Sequence, residues 1–142
     1  MAGDTREYTV GRRLAGTSRP LGFAVVAVTY LAAGVAGWGV FVAARDRHPL
    51  VGTFWADLVA TAIVFAVAMA VGNSSLYDPY WSVAPAVIVV GWTIWSSGTG
   101  EAARQALVIG LVLIWAARLT ANWALSWRGL AHEDWRYVQI RA

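Results

Sequence analysis

The chain has 142 residues, 58% of them hydrophobic and only 13% charged. That is about half the charged share of a soluble domain, which argues against a soluble fold and for a single integral membrane domain. The net charge is +3, every basic residue is arginine, and no tract interleaves basic with aromatic side chains on a solvent face, so nucleic acid is excluded as a partner. Cysteine is absent, which removes disulfides, thiolate nucleophiles and Cys-bound metal.

Residues 1–20 are polar, with Arg6, Arg12, Arg13 and Arg19 against Asp4 and Glu7, and Pro20 closes them as an N-terminal segment. Residues 21–44 follow without a charge, long enough to cross a bilayer with some tilt. Val42, Ala43 and Ala44 loosely resemble a signal-peptidase site, but the apolar run exceeds the roughly 7–15 residues of a signal-peptide core. A membrane helix is therefore predicted. Gly34, Gly37 and Gly39, with Ala33 four before Gly37, are expected to form a small-residue packing face.

A charged turn at residues 45–49 contains His48, read as a solvated loop histidine. A second helix is predicted over about residues 53–72, with Asp57 in its first turns, where a carboxylate favours the helix N-terminus. A third is predicted over about 80–97, with Pro85 near its start and Tyr80, Trp81, Trp92 and Trp95 towards its ends, as aromatic belts require. Ser97 to Gly100 reads as a turn in which Thr99 caps a fourth helix over about 103–127. The expected fold is all-α: a four-helix transmembrane domain over 21–127 and an interfacial helix over 128–142. Seven arginines fall on the side of the termini, and Arg45, Arg47 and Arg104 on the other. Both termini are therefore expected in the cytoplasm.

Candidate chemistry gathers in two places. Residues 72–85 form a short polar and aromatic knot between apolar segments, with Asp78 between Tyr77 and Tyr80 and next to Trp81. Arg118 interrupts the fourth helix after 13 charge-free residues. Burying an arginine in a bilayer costs about 2.5–3.5 kcal/mol on insertion scales, so a partner is expected. Trp115, Arg118, Asn122 and Ser126 share one stripe by their spacing, expected to face inward and bring Arg118 to Asp78 or Tyr77. Asn73, Tyr77, Tyr80, Arg118 and Asn122 offer donors suited to a carbonyl or phosphate, and a tyrosine or arginine can polarise a ketone. An ion pair that merely fixes helix register accounts for the same residues equally well. No glycine-rich nucleotide loop, paired-histidine zinc motif or pair of histidines at ligand spacing occurs. A metal site is not expected.

Asn73, the run from Tyr77 through Pro85, Arg118-Leu119 with Asn122, and Glu133-Asp134-Trp135-Arg136-Tyr137 together resemble the N-terminal half of bacterial steroid 5-alpha-reductase-like membrane proteins. Members of that branch are largely domains of unknown function, related to sterol reductases and isoprenylcysteine methyltransferases. The likeness spans roughly residues 50–141, and its specificity lies in the order of the motifs.

The resemblance implies an NADPH-dependent reduction of a carbon–carbon double bond conjugated to a carbonyl. It places Tyr77, Asp78 and Tyr80 as catalytic groups and Asn73, Trp81, Trp115, Arg118 and Asn122 at a lipid or sterol-like substrate. Arg128, Arg136 and Tyr137 fall at the cofactor. Further C-terminal helices, with a basic-His-Pro-Asn-Tyr-type motif, complete the cofactor site in the family. The chain is thus expected to be half of a reductase, in the bacterial inner membrane, dependent on a complementary C-terminal half. The alternative is a non-catalytic small membrane protein that binds lipid or partner helices. A methyltransferase-like relative is a third reading.

Overall fold

The structure, a computed structural model, describes residues 18–96, 101–131, 134, 137 and 139. The described residues are all-helical or irregular, with no strand among them. Among the described residues four α-helices are delimited: α1 (Arg19–Ala43), α2 (Pro49–Val71), α3 (Tyr80–Trp95) and α4 (Ala102–Ser126). A single 3-10 turn, Ser74–Leu76, lies between α2 and α3. Helices α1, α2 and α4 are long and apolar enough to cross a membrane. At 16 residues, α3 spans roughly 24 Å, short of a hydrocarbon core of about 30 Å.

The chain divides into two compact units. One holds the described residues up to Asp78 together with those from Trp127 onward; the other is Pro79–Ser126.

In the first unit, α1 and α2 form a hairpin across the short connection 44–48. The buried positions of α1, Gly22, Val26, Thr29, Ala33, Gly37 and Phe41, recur at three and four residues and so form one stripe. Gly37 lets the backbones come close: a Cβ there would stand 3.1 Å from the Ala56 carbonyl oxygen of α2. The packing face is narrower than the glycine pattern suggested. Gly34 and Gly39 have open space where their side chains would be, because they lie off the Ala33–Gly37 line. Near the other end, Gly52 of α2 receives the Phe41 ring. The Thr29 hydroxyl donates to the Val25 carbonyl at 2.7 Å, which satisfies it inside an apolar helix.

Helix α2 begins four residues earlier than the apolar run indicated. Pro49 occupies the first turn, where its missing N–H and fixed φ suit a helix start, and His48 Nδ1 accepts from the Leu50 N–H at 3.3 Å. The exposed histidine is the cap. Asp57 consequently lies eight residues beyond Pro49, and no acid occupies the first turn.

In the second unit, α3 packs against α4. Ser82, buried in the first turn of α3, donates to the Pro79 carbonyl at 3.0 Å. It is 2.8 Å from the Thr120 hydroxyl of α4, so Thr120 is the donor in that pair. The covered side of α4 runs through Val112, Ala116 and Thr120. These are small or β-branched side chains, which let two helices approach closely in a membrane. The expected turn residues 97–100, including Thr99, and residues 1–17 of the expected N-terminal segment 1–20 lie outside the described residues; Arg19 and Pro20, at the end of that segment, already form the first turn of α1.

Candidate functional site

The polar knot is built by the way α2 stops. Gly72 sits at φ 65°, a left-handed conformation that glycine adopts without steric penalty, and the Asn73 N–H donates back to the Ala68 carbonyl at 3.0 Å. This double-back termination turns the chain out of the helix. Asn73 then starts the 3-10 turn, its Oδ1 accepting from the Ser75 N–H at 3.0 Å. Leu76 is fully buried, and its carbonyl takes the Tyr30 hydroxyl of α1 at 2.9 Å.

The C-terminal segment closes over this loop. After α4, Trp127 is buried edge-on to Phe23, with ring centroids 5.2 Å apart. It occupies the space beside Gly22, where a Cβ would come within 3.1 Å of the indole. Gly129 at φ 105° then passes close to the Arg19 backbone. Three hydrogen bonds follow in order. The Leu130 carbonyl accepts from Asn73 Nδ2 at 2.7 Å. The Asp134 N–H donates to Ser75 Oγ at 2.9 Å. The Tyr137 hydroxyl donates to Asp78 Oδ1. Residues 127–131 are an irregular, inward-packed strap, and of the described residues beyond it Tyr137 and Gln139 are helical. Leu130 is buried in the protein, and its carbonyl serves Asn73. Trp135, Val138 and Ile140, which carried the rest of the interfacial-helix expectation, lie outside the described residues.

Of the residues anticipated from sequence, the structure brings Asn73, Asp78 and Tyr137 into this one cluster. Asn73 is 1% exposed, and both ends of its amide bond to the chain itself. Tyr77 and Asp78 are half-buried, Tyr77 closing the 3-10 turn with its N–H on the Ser74 carbonyl. Arg128 is exposed beside buried Trp127 and Gly129. Arg136 lies outside the described residues. Tyr30 and Leu130 join the cluster unanticipated, and Ser75 and Asp134 join it from within the knot and the C-terminal motif without having been singled out, since single hydroxyl and backbone groups leave no pattern in a sequence.

In the second unit, Tyr80 is buried as the first residue of α3, and Trp81 beside it is 66% exposed. The stripe of Trp115, Arg118, Asn122 and Ser126 exists as spaced, and all four are exposed. The side of α4 that packs on α3 is a different one, running through Val112, Ala116 and Thr120. A tryptophan and an arginine at those positions would hold the two helices apart. Ser126 donates back to the Asn122 and Trp123 carbonyls, both at 3.0 Å, so its hydroxyl ends the helix.

Chemically, the knot presents a carboxylate holding a phenol, with a second phenol on the adjoining residue. This is hydrogen-bonding and proton-transfer equipment. Among the described residues no three His, Cys, Asp or Glu side chains converge as a metal would require.

A family model described as a protein of unknown function (DUF1295) matches residues 64–142, more than half of the chain. The matched segment contains the knot, α3, α4 and the strap. Neither the curated proteins nor the solved structures yield a match.

Proposed function

The chain belongs to the DUF1295 family of proteins of unknown function, and we propose that it is the N-terminal part of a membrane NADPH-dependent reductase of the steroid 5-alpha-reductase-like type. The observation that carries this reading is the Tyr137 hydroxyl held on Asp78. It joins two motifs that the sequence resemblance singles out separately. In such a reaction NADPH supplies hydride to the β-carbon of an enone and the α-carbon takes a proton.

The chain's own residues would act at the carbonyl end. Asp78 orients the Tyr137 phenol, and the Tyr77 phenol on the adjoining residue is a second group of the kind that polarises a carbonyl oxygen. The described residues do not by themselves make a dinucleotide site. Asn73 and Tyr137 are committed to the fold, which leaves Arg128 as the exposed guanidinium among the anticipated cofactor residues. A pyrophosphate takes several convergent donors. Cofactor binding in this reading therefore depends on a complementary membrane segment, and no hydride step is assigned to this chain.

The same reading has α3 as a fourth crossing, both termini in the cytoplasm, a bacterial inner-membrane location and a lipid or sterol-like enone as substrate. One observation favours a second reading, a non-catalytic membrane protein that binds lipid or partner helices: the knot's polar groups serve largely to fasten the chain to itself. Titration of NADPH into the purified chain, alone and joined to a complementary C-terminal segment, separates the two. The reductase reading expects weak or no binding alone and clear binding with enone reduction when joined. Tight binding by the chain alone contradicts the half-site. No binding by the joined protein leaves the non-catalytic reading in place.

A further inference from the structure

The loop that ends α2 and the C-terminal segment meet in the same order along both. Asn73, Ser75 and Asp78 hold Leu130, Asp134 and Tyr137 in turn. All six residues belong to one compact unit. On the C-terminal segment the first and last of these bonds are seven residues apart. A bridge of that length fixed at its ends alone has many backbone arrangements, and each unfixed residue multiplies them. The middle bond, from Asp134 to Ser75, therefore decides how narrowly the position of Tyr137 is specified.

Ser75 has the makings of a fixed point. It lies inside the 3-10 turn, which is closed by the Leu76 N–H on the Asn73 carbonyl at 3.3 Å and the Tyr77 N–H on the Ser74 carbonyl at 2.9 Å. Its own N–H donates to Asn73 Oδ1 at 3.0 Å, and the residue is 3% exposed. With the backbone held, a serine oxygen has only the staggered positions of a single torsion open to it. That oxygen accepts from the Asp134 N–H at 2.9 Å. The Asp134 carbonyl in turn accepts from the Tyr137 N–H at 3.0 Å. One short turn thus runs from the residue that Ser75 holds to the residue that carries the phenol. Hydrogen bonds weaken steeply when the donor swings off line, so a phenol aimed at a carboxylate gains from a fixed base.

We infer that Ser75 is a positioning residue: its hydroxyl, acting through the Asp134–Tyr137 turn, sets the Tyr137 phenol on Asp78. The use of that placement rests on the reductase reading, in which the pair stands at the substrate carbonyl. The placement itself is a property of this chain. A serine that merely added stability would weaken the protein when lost and leave the surviving pair as it was. A positioning serine loosens the pair in the molecules that remain folded.

The test uses the full chain in detergent micelles with tyrosine labelled at the ring carbon that bears the hydroxyl. The Tyr137 carbon-13 signal is assigned by its loss in Tyr137→Phe. Asp78→Ala removes the acceptor and displaces that signal, and Ser75→Ala is expected to displace it in the same direction. Ser75→Cys, close in size but a weak acceptor, should displace it less, and it carries the test if the alanine variant does not fold. Unfolding equilibria give a second readout. The coupling between Tyr137→Phe and Asp78→Ala should be about tenfold in the unfolding constant with Ser75 present. It should fall to about twofold or less in Ser75→Ala. Gly37→Ala, at the α1–α2 contact, lowers stability elsewhere and should change neither readout. A Tyr137 signal unmoved by the Ser75 variants, or a coupling that survives them, overturns the inference. So does an equal displacement in Gly37→Ala, which would show that any loss of stability loosens the pair. No displacement in Asp78→Ala overturns it as well, since there would be no pair to position. Neither readout involves NADPH, so this result and the fate of the reductase reading are decided separately.

Discussion

The Tyr137 hydroxyl donates to the Asp78 carboxylate across 59 residues of sequence, fastening the far end of the C-terminal strap to the loop that ends the first helical hairpin. A hydrogen bond to a charged acceptor contributes about 1.5–3 kcal/mol, and partial exposure of both residues places this one at the lower end. Tyr137→Phe and Asp78→Asn are each expected to destabilise the protein by about 1–2 kcal/mol. The double variant should lose less than the sum, because the two side chains share one interaction. Unfolding in mixed micelles measures all three, and strict additivity would mean that the pair contributes nothing of its own.

Asn73 has the larger effect. It is buried at 1% exposure, and its amide accepts from Ser75 and donates to Leu130. Asn73→Ala removes both bonds and leaves a buried N–H and carbonyl to find other partners, an expected loss of about 2–4 kcal/mol. Asn73→Asp keeps the acceptor towards Ser75 but aims a carboxylate oxygen at the Leu130 carbonyl. It should therefore be no better than alanine, although it is the closest in shape. A melting series that ranks aspartate near wild type would show that the Leu130 bond contributes little.

Much of this cluster was legible before the structure, and the manner of its assembly was not. Four apolar segments could be read because a membrane demands some twenty consecutive apolar residues, three of them are long enough as helices to cross one, and the knot stood out as a polar interruption between two of the four. The start of α2 was misplaced because Pro49 and His48, residues usually read as loop, are here the first turn and its cap. Ser75, Tyr30 and Leu130 were invisible since each contributes one bond to a partner 46 to 59 residues away, and such pairings leave no periodicity. The stripe through Arg118 is spaced as read, but the contact of α4 with α3 uses another side, because the small or β-branched side chains of Val112, Ala116 and Thr120 let two helices pack closely.

The α1–α2 contact gives a prediction with internal controls. A Cβ at Gly37 would meet the Ala56 backbone carbonyl at 3.1 Å, while Gly34 and Gly39 have nothing within 4 Å. Backbone cannot yield as a side-chain tip does, so Gly37→Ala should separate the helices and destabilise by about 1–2 kcal/mol. Gly34→Ala and Gly39→Ala should be neutral or slightly stabilising through helix propensity. Comparable losses at all three positions in detergent unfolding would point to a different packing face.

The path of the chain through the membrane depends on α3. At 16 residues it reaches roughly 24 Å, and a modest thinning of the bilayer accommodates that mismatch. The arginines favour a crossing. With four crossings, seven of the ten arginines outside the apolar core share the side of the termini: Arg6, Arg12, Arg13, Arg19, Arg128, Arg136 and Arg141. If α3 lay along the surface, the C-terminal three would change sides and Arg104 would change the other way. The count would then be five against five, with no bias left to orient the protein. Reporter fusions after Ala142 are therefore expected to read cytoplasmic, and fusions within residues 45–50 and 97–100 to read periplasmic. A periplasmic signal after Ala142, together with a cytoplasmic one within 97–100, would leave α1, α2 and α4 as the three crossings and place α3 at the surface.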